Sequence, residues 1–354
     1  MRDITQVTKD ELKEKLDIQQ DFRIHQIFEW LWKKEVETFD EFSNLPKELR
    51  EKLKAKFYIP AMNVYEIKTA NDGTRKVAFE LTDKQIIEGV LIPSGNRVTA
   101  CISSQVGCNV GCKFCATGKM GFFRNLSTGE IVFQVKKLNR LSEEFYGRKL
   151  TNIVFMGMGE PLLNYHNVIK ASEILTTQEG IGMSPRRITL STVGITDKII
   201  QLAKDKVKFN LAVSLHSADE VIRTNLIPVN KQHNLKKLQR AIFFFHKQTG
   251  NRVTIEYLLI KNVNDKIGDA KKLATFCKAF PCKINLIEYN PVEGISFRKP
   301  DAITTEAFKA FLESKNLVVN IRRSRGKDID AACGQLATQI KNRKKHSHYN
   351  SGSS

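Results

Sequence analysis

No run of about 18 consecutive apolar residues occurs in this 354-residue chain, so no transmembrane helix and no membrane partner are expected. The opening residues, Met1-Arg-Asp-Ile-Thr-Gln6, lack the apolar stretch of a secretory leader. The cytoplasm is therefore the expected compartment, and it argues against a disulfide framework for the seven cysteines. Acidic residues are scarce: 38 stand against 57 lysines and arginines, a net charge of +19. A surplus of that size points to a polyanion partner held through counterion release; the plainer alternative is a soluble basic surface. The surplus is locally dense in Asn234–Arg240, Arg322–Lys327 and Lys341–His346.

Composition is otherwise that of an ordinary globular protein, 41% hydrophobic and 27% charged, long enough for one large domain with an accessory one. Residues 1–65 are expected to be helical. Ile24, Ile27, Phe28 and Leu31 fall at helical spacing, and Trp30 and Trp32 border that face, as core packing or as stacking platforms for bases. Residues 66–93 form a small β segment around the hairpin signal Asn71-Asp-Gly73, between Val64–Ile67 and Arg75–Leu81.

From residue 94 to 328 short apolar runs alternate with amphipathic helices. Strands are expected at Val98–Ser103, Asn152–Met156, Arg187–Ser191, Asn210–Leu215, Val253–Ile260 and Lys283–Glu288, and Ser127-Thr-Gly-Glu130 is a capping box. Six βα units predict an α/β fold, a partial (β/α)6 barrel, with ligands gathered at the carboxyl ends of its strands. Residues 329–344 form a C-terminal segment, and 345–354, ending in Ser351-Gly-Ser-Ser354, a disordered tail.

Three cysteines crowd into eight residues: Cys108, Cys112 and Cys115, spaced C-x3-C-x2-C. Closed zinc sites and ordinary iron–sulfur clusters take four protein ligands, so a triad leaves one position open for chemistry. His216 and His166 are alternatives as a fourth ligand, which would make the site a structural zinc. A second motif, Phe155-Met-Gly-Met-Gly-Glu-Pro161, follows a strand directly; its glycines permit close approach of a ligand, and Glu160 offers a carboxylate to an ammonium group.

The C-x3-C-x2-C run, with the aromatic Phe114 inside it, resembles the signature of radical S-adenosylmethionine (SAM) enzymes. That resemblance implies that Cys108, Cys112 and Cys115 hold a [4Fe–4S] cluster whose fourth iron is chelated by S-adenosyl-L-methionine. The run Gly157-Met-Gly-Glu-Pro161 narrows the likeness to the ribosomal RNA large subunit methyltransferase N family, the dual-specificity 23S rRNA/tRNA adenine C2-methyltransferases. Further matching segments are His25–Leu31, Phe42–Arg50, Ala100–Cys108, Arg187–Gly194, Val213–His216 and Asp328–Leu336, so the resemblance covers nearly the whole chain.

By that resemblance the activity is methylation of adenine carbon 2, using two SAM molecules per turnover. Cys333 would accept a methyl group, a radical would join that carbon to the base, and Cys101 would release the product by forming a transient disulfide with Cys333. Glu88 would be the proton acceptor, and Gly159, Glu160, Ser191, Ser214, Leu215, His216 and Asn290 would bind SAM. Basic neighbours, Arg322, Arg323 and Arg325 among them, are expected to lower a reacting thiol's pKa. Cys277 and Cys282 match nothing and are expected to be buried apolar residues. Implied partners are 23S rRNA, tRNA, and an electron donor such as flavodoxin or ferredoxin; the helical amino-terminal domain would grip RNA, and nothing demands more than a monomer. Two rivals stand beside this reading: a carbon 8 methyltransferase of the antibiotic-resistance type, which shares the cysteine set, and a non-catalytic zinc-binding RNA adaptor.

Overall fold

The computed structural model describes all residues except Glu35, Glu179 and 337–354. The basic cluster Lys341–His346, the expected tail 345–354 and the second half of segment 329–344 lie outside the described residues.

The amino-terminal part is closed by a short parallel pairing of β1 (Arg2–Asp3) with β2 (Phe57–Tyr58). Between them run α1 (Lys9–Leu16), α2 (Asp21–Lys33) and α3 (Lys47–Lys56). A capping box of Thr8 and Glu11 starts α1. Helix α2 buries Ile24, Ile27, Phe28, Leu31 and Trp32, the face its spacing foretold. Trp30 stacks on Phe42 at 5.5 Å and donates its indole N–H to Asn44 Oδ1 at 2.6 Å, so both tryptophans serve packing. Trp32 also meets Phe133, joining this part to the core.

Next come β3 (Met62–Thr69), β4 (Arg75–Leu81), β5 (Ile86–Ser94) and β6 (Arg97–Cys101), an antiparallel meander. Gly73, at φ +80°, makes the expected turn between β3 and β4. Beyond β6 a small hairpin of β7 (Gln105–Gly107) and β8 (Phe122–Asn125) brackets the cysteine triad and α4 (Ala116–Met120). Helix α5 (Thr128–Tyr146) then leads into β9 (Asn152–Phe155), its Ser127–Glu130 capping box formed as expected. The alternation continues through α6 (Tyr165–Thr176), β10 (Ile188–Thr192), α7 (Thr196–Lys204), β11 (Asn210–Ser214), α8 (Glu220–Leu226), α9 (Leu235–Thr249) and β12 (Val253–Leu259). It ends with α10 (Ile267–Cys277), β13 (Cys282–Glu288), α11 (Ala302–Glu313) and β14 (Val318–Arg322).

One ten-stranded sheet carries all of this, in the order β14-β13-β12-β11-β10-β9-β6-β5-β4-β3. Strands β6 and β9 to β14 are parallel, and β3 to β6 extend the same sheet antiparallel. The six strands expected from the sequence all form, within two residues at each end. The seventh parallel strand, β14, was not foreseen: it is a five-residue edge strand, only partly buried, that runs into an arginine cluster. The sheet's two edges, β3 and β14, do not pair, so the barrel stays open. Helices cover it through an apolar layer in which Ile153, Ile188, Leu190, Leu211, Val213, Ile255 and Ile284 are fully buried. Each such side chain is worth about 1.5–3 kcal/mol relative to exposure. Because the strands are parallel, their carboxyl ends share one rim, where loops are free to carry polar groups.

Candidate active site

A cavity of about 160 Å³ opens at that rim. Its wall includes Cys108, Cys112 and Cys115 from the loop after β7, Gly157, Gly159 and Glu160 after β9, and Ser191 of β10. Ser214 and His216 come from the end of β11, Glu256 and Leu258 from β12, Tyr289 and Asn290 from just beyond β13, and Arg322 from β14. Cys333, more than 200 residues after the triad, lines the same cavity with Gly334 and Leu336.

The triad's loop is held at several points. Cys108 N–H donates to Gly121 O at 2.9 Å, Lys113 N–H to Leu226 O at 3.0 Å and Cys115 N–H to Cys112 O at 3.2 Å. The C-terminal segment lies over α4: Ala116 N–H donates to Gly334 O at 2.7 Å and Thr117 Oγ1 to Leu336 O at 3.3 Å. Asn290 Nδ2 reaches Cys333 O at 3.4 Å. Burial raises the pKa of all three thiols, Cys108 to about 12, so protons must leave when they ligate a metal.

Glu160 is buried, and burial lifts its carboxyl to about 7 although Val193 N–H (2.8 Å) and Leu162 N–H (3.0 Å) both donate to it. The preceding glycines serve a chain crossing as well as the cavity. A Cβ on Gly159, at φ +95°, would lie 2.5 Å from Gln105 Cβ, and one on Gly157 would lie 2.6 Å from Ile102 O. The close approach expected there toward a ligand is, for these two α-carbons, toward the β6–β7 backbone.

His216 sits at φ +56°, with Leu258 N–H donating to Nδ1 at 3.0 Å and Phe114 edge-on at 4.9 Å. Burial and the Arg223 charge depress its pKa to about 3; the ring is neutral, with its proton on Nε2. It is thus a held core histidine that also faces the cavity. Ser191 and Ser214 bring their hydroxyls within 3.5 Å. Leu215 is buried and off the cavity wall; its N–H donates to Glu256 O, and its carbonyl accepts from Arg223 Nε–H.

The chain matches the model of the Radical SAM superfamily over residues 102–274 and that of the ribosomal RNA large subunit methyltransferase N-terminal domain over 17–59. A probable dual-specificity RNA methyltransferase RlmN from Cytophaga hutchinsonii is 50% identical over 316 residues, 89% of this chain and 87% of that protein. One from Christiangramia forsetii is 47% identical over 340 residues, 96% and 97% of the two chains. The chain belongs to the RlmN family. A crystal structure of a radical SAM methyltransferase from Sphaerobacter thermophilus superposes with a TM-score of 0.88 at 40% identity, covering 95% of this chain and 99% of that one.

Enzymes of the Radical SAM superfamily use a [4Fe–4S] cluster and SAM, and the cavity fits both. Cys108, Cys112 and Cys115 line this one cavity together, three thiols of the kind that ligate iron–sulfur clusters. Asn290 Oδ1, Tyr289 OH and Glu256 Oε2 are buried there without a hydrogen-bond partner, which is the signature of a wall that expects a polar ligand.

Besides Leu215, two expected members stand off the wall. Cys101 closes β6, and its thiol lies within electrostatic reach of Cys333 and Arg322. Burial pushes that thiol up to about 12, so the expected lowering by basic neighbours does not hold for Cys101: the Arg322 charge opposes desolvation and is outweighed. Of the three arginines considered, Arg322 alone lines the cavity; Arg325 stands 4.0 Å from Asp72 instead. Glu88 lies within β5, buried rather than solvated, 3.4 Å from Lys76 Nζ. Pairing puts Val90 opposite Cys101, so Glu88, two residues earlier, projects from the same sheet face as Cys101. Cys277 and Cys282 are buried as expected. Sequence reasoning missed Glu256 and Tyr289. Glu256 had a signal: it is the lone charge in the apolar strand Val253–Leu259.

Proposed function

We propose that this RNA methyltransferase methylates carbon 2 of an adenine in 23S rRNA, and acts on tRNA as well, through a methyl group carried on Cys333. One observation carries the reading: Cys333, the residue most distant in sequence, shares a cavity with Cys108, Cys112 and Cys115. When bound, the cluster and SAM supply the methyl group and the radical chemistry. Cys108, Cys112 and Cys115 would hold the cluster. Gly159, Glu160, Ser191, Ser214, Leu215, His216 and Asn290 would bind SAM, with the carboxylate of Glu160 facing its ammonium and the Leu215 contribution limited to placing its neighbours.

The protein's further work is a sequence of proton and sulfur transfers. Once Cys333 is joined to the base through a methylene, Glu88 takes the carbon 2 proton. Cys101 then attacks the Cys333 sulfur; the S–S bond forms, and the C–S electron pair leaves with the product, which is protonated to a methyl group. Because burial favours the Cys101 thiol, deprotonation must accompany attack, and Arg322 is placed to stabilise the thiolate. The chain would work as a cytoplasmic monomer, reduced by flavodoxin or ferredoxin, with its basic surface and amino-terminal helices on the RNA.

The test is anaerobic reaction with protein-free 23S rRNA, followed by nucleoside mass spectrometry. 2-Methyladenosine is expected; 8-methyladenosine, or no methylated adenosine with an intact cluster and active reductant, would overturn the assignment.

A further inference from the structure

The ammonium of Lys76 is a buried charge with a specific pair of neighbours. Lys76 lies on β4, only 4% exposed. Its Nζ stands 3.4 Å from Glu88 Oε1 and donates to the main-chain carbonyl of Asp330 at 3.2 Å. Strand register sets this up: Val90 pairs with Lys76 on one side and Cys101 on the other, so Lys76, Val90 and Cys101 form one row on one face. Glu88 lies on that face, two residues along. Asp330 in turn is three residues before Cys333.

The segment Lys76 touches is pinned by the same hairpin. Asp72 Oδ2 accepts from Gly326 N–H at 3.0 Å, and Asn71 N–H donates to Asp328 Oδ2 at 2.9 Å. Gly326 and Asp330 both have positive φ, +64° and +52°. A backbone held in that region persists where surrounding contacts dictate it. The segment turns sharply here before Cys333 enters the cavity.

We infer that Lys76 is a positioning residue that ties the Glu88 carboxylate to the Cys333-bearing segment, so that base and methyl carrier are set in one register. The inference rests on the proposed roles of Glu88 and Cys333. A buried ammonium is costly to desolvate and is kept where its partners repay it. Here the partners belong to two different steps of one reaction, joined through a single side chain. The substrate adenine, joined to Cys333, would present its carbon 2 proton to a carboxylate whose place Lys76 fixes.

The experiment compares Lys76→Met, Lys76→Gln and Glu88→Gln in the full-length, cluster-loaded enzyme, with anaerobic turnover on RNA and a denaturing gel for the protein–RNA cross-link. Glu88→Gln should accumulate the Cys333–RNA adduct. Lys76→Met should retain cluster absorbance, bind RNA with KM within about twofold, lose about 10- to 100-fold in kcat, and accumulate the same adduct. Should the methionine variant fail to load its cluster, Lys76→Gln takes its place with the same expectation. Turnover at the parent rate, or slow turnover without adduct, would overturn the inference, since a purely structural lysine would lower activity without stalling that step. If Glu88→Gln makes no adduct, the role of Glu88 falls and this inference with it. If Glu88→Gln accumulates adduct while the lysine variants turn over normally, the inference alone falls.

Discussion

Cys333 and Cys101 show how differently two partners of one proposed disulfide can be placed. Cys333 is exposed at the cavity wall, open to a methyl donor, whereas Cys101 is buried at the end of β6 and protonated by its surroundings. Exchange of Cys333 for alanine should abolish methyl transfer while leaving the cluster's visible absorbance intact; retained activity would rule out the methyl-carrier role. His216 supports a separate prediction about acid stability. Its folded pKa, about 3, lies below the ordinary 6.5, so the unfolded chain binds a proton that the folded chain refuses. The stability this contributes is present above pH 6.5 and is lost progressively as pH falls toward about 3. His216→Asn keeps a side-chain acceptor and tolerates positive φ, but cannot titrate. Urea unfolding of the cluster-free proteins should show the variant less sensitive to acid, by on the order of 3 kcal/mol at about pH 4.

At the scale of elements, the loop after β9 depends on a crossing that only glycine permits. Gly159→Ala would force a side chain into Gln105 at positive φ. The expected cost is about 2 kcal/mol or more of stability, with weakened SAM binding because Glu160 is displaced; urea unfolding and equilibrium dialysis measure the two. The parallel strands were legible because each is an apolar run set between turn signals and an amphipathic helix. Strand β14 escaped because half of it faces solvent at an edge, and its pattern is lost in the arginines that follow. The β3–β4 hairpin was legible from Asn71-Asp72-Gly73, but its hold on residues 326–330 was not. Those contacts span some 250 residues, and no local pattern encodes them.

Over the whole molecule, a charge of +19 should make RNA affinity steeply dependent on salt. A plot of log K against log salt is expected to fall with a slope of magnitude about 3 or more; a flat plot would mean that the basic surface does not meet the phosphates. By itself the sequence determined the cysteine triad, the Gly-Glu motif, the βα alternation and the family, because spacing and periodicity are local properties of a chain. Tertiary structure decided which of those groups meet. Seven parallel strands ending at one rim bring Cys333 to the triad, place Arg322 and not its neighbours on the wall, and leave Glu256 Oε2 without a hydrogen-bond partner there. It also raised the pKa of Cys101 and Glu160 and lowered that of His216. Burial sets each of those, and burial depends on what the rest of the chain packs around a residue.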